Sequence, residues 1–172
     1  LVGSEMCIRD SHNTFITFSS TPELVEIHGR TLEEKLHYIQ SSKWEFSTNL
    51  EAVFDLILRT AVNAGTPQEE MPSTLFIISD MEFNSAMKNP DKTIYDNAKA
   101  AFEANGYHLP AVVFHNVNSW QMQTPVRSHT RGTALASGAG TNSFNYKFDG
   151  NITPMDHMLR VLTSPRYAAV HA

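Results

Sequence analysis

Residues 73–84 read S-T-L-F-I-I-S-D-M-E-F-N, a short apolar run from Thr74 to Ile78 that passes directly into Ser79, Asp80 and Glu82. An apolar run of this length, closed by polar residues and followed by a helical pattern, is the mark of a strand buried on both faces of a parallel sheet. Ligands of open α/β sheets bind beyond the carboxyl ends of such strands. Asp80 is therefore the first residue that needs a chemical explanation.

Working outward, Asn49 to Ala64 places Leu50, Val53, Phe54, Ile57, Ala61 and Val62 at helical core spacing, stopped by Gly65 and Pro67. Thr93 to Asn105 is a second helix, with Gly106 as the residue just past its end. Ala111 to Val117 is a second buried strand and Thr133 to Ser137 a third. Towards the amino end, His12 to Ser20 and Leu24 to His28 form a hairpin at a sheet edge. Thr31 caps a helix to Ser41, with Glu34 as capping-box partner and Leu32, Leu36 and Ile39 on one face. A last helix starts at Thr153, with Pro154 at its first position, and is expected to turn Met155, Met158, Leu159 and Leu162 inward. Strands alternating with helices predict an α/β fold: a three-layer, doubly wound, mostly parallel sheet with an antiparallel edge hairpin.

The chain has 172 residues, 41% of them hydrophobic and 18% charged, which suits one globular domain. Its net charge of −5 speaks against a broad nucleic-acid footprint. A single cysteine, Cys7, excludes an intrachain disulfide and a cysteine-based zinc site and fits a cytoplasmic protein. No apolar run approaches the roughly 18 residues of a membrane span. Residues 1–11, L-V-G-S-E-M-C-I-R-D-S, carry no useful periodicity and resemble a translated adapter sequence, so they are read as a non-native leader to a domain over residues 12–172.

Two polar groups fall where loops converge: Ser47, Thr48 and Asn49 before the long helix, and Ser79, Asp80 and Glu82 after the strand. Hydroxyl and carboxylate oxygens suit a hard divalent ion such as Mg²⁺. Each residue also has a simpler reading. Thr48 with Glu51 makes a capping box, Asp80 at a strand end caps a turn, and Glu82 is a solvated loop charge. Asn116 and Asn118, at the end of the second strand, are crevice contacts, whereas His115 reads as a hydrogen-bonded core residue. Arg127, His129 and Arg131 form a small basic cluster suited to a phosphate or a partner carboxylate. No zinc-hydrolase, P-loop, dinucleotide or nucleophile-elbow spacing is present, so no enzymatic activity is expected.

F-S-T-N-L-E-A-V-F-D-L-I-L followed by L-F-I-I-S-D-M-E-F resembles the later part of a von Willebrand factor type A domain. S-D-M-E-F, V-V-F-H-N-V-N, T-P-V, G-T-A-L-A-S-G and S-P-R-Y are similar to the A-type domain of Ro/TROVE-like proteins and their plant, bacterial and viral relatives. The resemblance implies a metal-ion-dependent adhesion site in which Thr48 ligates Mg²⁺ or Mn²⁺ and Asp80 accepts from metal-bound water. It further implies a noncatalytic module that binds the acidic group of a protein partner, within a larger protein whose other domains bind RNA. The family's D-x-S-x-S loop does not occur in this sequence. The domain is therefore expected to lack its first central strand, to leave ladder edges open on the strands at Thr14–Phe18 and Thr74–Ile78, and to hold metal weakly or not at all. A degenerate scaffold, or a metal-assisted hydrolase using Asp80, Glu82 and His115, are the alternatives.

Overall fold

The computed structural model describes the backbone of residues 2–5 and residues 13–42, 49–80, 93–117, 126, 130–137, 155, 158, 159, 162, 163 and 165. Strands β1 (Val2–Glu5), β2 (Thr14–Ile16) and β3 (Leu24–Glu26) precede helices α1 (Leu32–Ser41) and α2 (Leu50–Ala64). There follow β4 (Thr74–Ser79), α3 (Ile94–Ala104), β5 (Ala111–Asn116) and β6 (Thr133–Ser137). The sheet has six strands in the order β3-β2-β1-β4-β5-β6. β4, β5 and β6 run parallel, and β2 and β3 form the antiparallel edge hairpin. The α/β class with its edge hairpin is thus the observed one.

The slot between β2 and β4 differs from expectation. Val2 and Gly3 pair antiparallel with Ile16 and Phe15, while Val2 to Glu5 pair antiparallel with Ile77 to Thr74. The two ladder edges expected to stand open are therefore covered by β1. The physical reason is non-local: unpaired N–H and C=O groups on two facing edges recruit a short extended segment whatever its side-chain pattern.

Alternation along the strands sorts the core. Ile16, Leu75, Ile77, Val112 and Phe114 share one face with Leu50, Val53, Phe54, Leu58 and Ala61 of α2 and Tyr95, Ala98 and Phe102 of α3. β5 is the strand closed on both faces, since Val112, Val113, Phe114 and His115 are at most 1% exposed. On the opposite face Phe15 and Thr17 are buried too. α1 lies over the β2–β3 hairpin, its Tyr38 ring meeting His28 edge-on at 5.4 Å between centroids.

Local chemistry fixes the helix ends. Thr31 and Glu34 form the expected capping box on α1, and Thr93 with Asp96 forms another on α3. Asn49, not Thr48, is the N-cap of α2, its side chain accepting from the Ala52 amide at 3.1 Å. Asn49 is as good a cap as threonine, so a one-residue shift costs nothing. Tyr107 ties the lower end together: its hydroxyl donates to the carbonyls of Thr66 at 2.9 Å and Ala61 at 3.3 Å.

Two apolar faces are not buried as expected. Leu32 and Leu36 of α1 are 75% and 50% exposed, and the helical residues Met155, Met158, Leu159 and Leu162 are also exposed. Periodicity marks an apolar side of a helix; it does not supply the surface that covers it.

Candidate functional site

The parallel strands β4, β5 and β6 end together. Ser79 is level with Asn116, and Asn116 with Ser137. The ladder runs one bond further, with the Val117 amide donating to the Ser79 carbonyl at 3.1 Å. Residues in register on parallel strands project from the same face, about 4.8 Å apart. Ser79, Asn116 and Ser137 therefore form a polar row directly above the apolar row Ile77–Phe114–Leu135 and the row Leu75–Val112–Thr133. Burial falls across the row: Ser79 is buried, Asn116 half-buried and Ser137 exposed.

Asp80 follows immediately and is exposed. The Ser79 hydroxyl donates to its Oδ1 at 3.3 Å, which holds the carboxylate against the strand end. A carboxylate, two hydroxyls and an amide oxygen are hard donors, compatible with a hydrated divalent ion and poorly matched to zinc or copper. No group of three or more His, Cys, Asp or Glu side chains capable of holding a metal occurs among the described residues.

α2 brings its amino end towards this row. The Tyr107 bonds hold its carboxyl end beside the turn that enters β5. Its 15 residues then rise about 22 Å, the length of the sheet, towards the carboxyl ends of the strands. Asn49 thus lies at the end of α2 nearer the carboxyl ends of the strands, its side chain engaged by the Ala52 amide. Thr48, Glu82 and Asn118 lie outside the described residues, as do Arg127 and His129 of the basic cluster, whose Arg131 is exposed.

His115 is 1% exposed and occupies the strand face opposite Asn116. It is a core residue, as its position inside a buried strand implies. Ser137 is the member of the row that the sequence reading placed at a strand end without assigning it to the crevice. The available signal was positional: it ends the third parallel strand at the same level as Asn116.

No helix among the described residues is long and apolar enough to cross a membrane. The chain is 31% identical over 153 residues to an uncharacterized protein of Acanthamoeba polyphaga mimivirus, a similarity covering 88% of this chain and 27% of that protein. It thus spans about a quarter of the length of this curated relative. No solved structure matches the chain. Residues 1–157 match the family described as a domain of unknown function, DUF7788, and the chain belongs to that family.

Proposed function

We propose that this chain is a noncatalytic binding module whose working surface is the carboxyl edge of β4, β5 and β6. In the intact protein, a divalent cation held there would receive the acidic group of a protein partner. The observation that supports this most directly is the in-register row Ser79–Asn116–Ser137 beside the exposed carboxylate of Asp80. An all-oxygen donor set with one carboxylate favours Mg²⁺ or Mn²⁺ retaining several waters, and a water-rich ion exchanges one for a partner oxygen. In this reading Asp80 accepts from metal-bound water and Thr48 adds a hydroxyl from the segment before Asn49. Asn116, Ser79, Glu82 and Asn118 shape the crevice. The resemblance to von Willebrand type A domains of Ro/TROVE-like proteins belongs to the same proposal, with any RNA bound by other parts of the protein. The match to only 27% of a longer relative agrees with a module inside a larger chain.

Manganese paramagnetic broadening, followed by amide NMR, tests the site. Low-millimolar Mn²⁺ should broaden Ser79, Asp80 and Asn116 before other amides, and Asp80→Ala should abolish that local effect. Broadening spread over all surface carboxylates, or unchanged in Asp80→Ala, would remove the metal from the reading.

A further inference from the structure

An open cavity of about 400 Å³ lies between the β2–β3 hairpin and α1, and Thr17, Ser19, Tyr38, His28 and Glu23 are among the residues that line it. Thr17 and Ser19 are 3% and 2% exposed. They alternate with Ile16 and Phe18, which enter the α2–α3 core, so both hydroxyls turn to the opposite side, into the cavity. Among the described residues neither hydroxyl has a hydrogen-bond partner, whereas those of Ser41 and Ser42, also on the lining, donate to the Tyr38 carbonyl at 2.8 and 3.1 Å. Buried hydroxyls without partners cost stability, and natural structures keep them where a ligand or water completes the bonding.

The lining also sets the sign of that ligand. Among the described residues it includes the carboxylate residue Glu23 and an aromatic ring, Tyr38, and no lysine or arginine, while Glu26, level with Thr14, turns to the Ile16 side of the hairpin. Lys35, on the neighbouring turn of α1, is drawn away to Asn13 Oδ1 at 3.0 Å. A carboxylate at the opening, hydroxyls at the floor and an aromatic ring alongside are a donor-accepting environment that favours an organic cation.

We propose that the hairpin–α1 cavity binds a small organic cation bearing a primary ammonium or guanidinium group. The Thr17 and Ser19 hydroxyls accept its N–H groups, and Glu23 neutralises its charge. The site is separate from the strand-end row, and its test does not depend on metal.

Calorimetric titration of the chain with agmatine and putrescine, against uncharged 1,4-butanediol and anionic succinate, decides the matter. The two amines should bind, with 1,4-butanediol at least about tenfold weaker and succinate inert. Thr17→Val and Ser19→Ala should each weaken amine binding about tenfold or more. Because its hydroxyl has no partner among the described residues, Thr17→Val should also keep or raise the thermal midpoint. Absence of amine binding at about 10 mM, equal binding of the diol, or unchanged amine affinity in both variants would overturn the proposal.

Discussion

Tyr95 shows how one side chain joins distant parts of the chain. It is buried in the α3 packing surface, yet its hydroxyl donates to the Arg131 carbonyl at 3.2 Å, at the entry to β6. A Cβ added at Gly132, whose φ is +79°, would stand 2.9 Å from that oxygen, so only glycine lets the turn close over the ring. Burial, and then the neighbouring Asp96 carboxylate, push the Tyr95 hydroxyl above its ordinary range. For an acid raised on folding, the contribution to stability is complete below the unfolded value near 10 and is lost as pH rises through the folded value. Melting curves between about pH 8 and 11 should therefore fall more steeply for the parent chain than for Tyr95→Phe. Parallel curves would show that this hydroxyl does not govern alkaline stability. Ser79 and Asp80 divide their duties in a simpler way: the buried hydroxyl donates and the exposed carboxylate receives. The place of Asp80 at the end of a buried strand was legible from the apolar run before it. The register that sets Ser137 beside Asn116 was not, because pairing between strands depends on the packed sheet.

Among the elements, α3 and β6 were the most readable. Thr93, Asp96 and Gly106 give α3 its start and stop signals, and β6 spans Thr133–Ser137 as expected. α2 shifted by one position because Thr48 and Asn49 are equally competent caps. α1 is also capped as expected, by Thr31 and Glu34, but its seat was not legible. Gly29 explains how it sits. With φ at +144°, a Cβ there would come within 2.9 Å of both the Glu34 Cβ and the Lys35 amide nitrogen, so the chain leaving β3 passes directly against the first turn of α1. Gly29→Ala should cost about 2–3 kcal/mol through backbone strain and this backbone contact. Denaturant unfolding measures it; a change below about 0.5 kcal/mol would mean that the hairpin and α1 yield easily. Leu32 and Leu36 mark a further limit of reading by element, since a regular apolar stripe left α1 without a single buried residue.

For the whole molecule, the α/β layering followed from the alternation of helices and buried strands, and α2 buries Leu50, Val53, Phe54 and Ala61 as its periodicity selected, although Leu58 is buried and Val62, expected inward, is 44% exposed. β1 did not follow from any pattern. V-G-S-E carries neither strand alternation nor a strong β preference, and its place is set by the two edges it joins. Gly3 is paired with Phe15 on one side and Phe76 on the other. A proline there removes the amide donor from an internal strand. Gly3→Pro should lower the thermal midpoint and bring on concentration-dependent association, as the edges of β2 and β4 become available to other chains. Size-exclusion profiles at rising concentration read the second effect, and an unchanged monomer with an unchanged midpoint would show that β1 does not support the sheet. The direction of β1 also has a consequence for connection. Val2 lies level with Ile77, near the crevice end of β4, while Glu5 lies level with Thr74 at the far end. A fusion partner or upstream domain joined ahead of Val2 would therefore leave β1 at the crevice end of the sheet, as a neighbour to whatever docks on the Ser79–Asn116–Ser137 row.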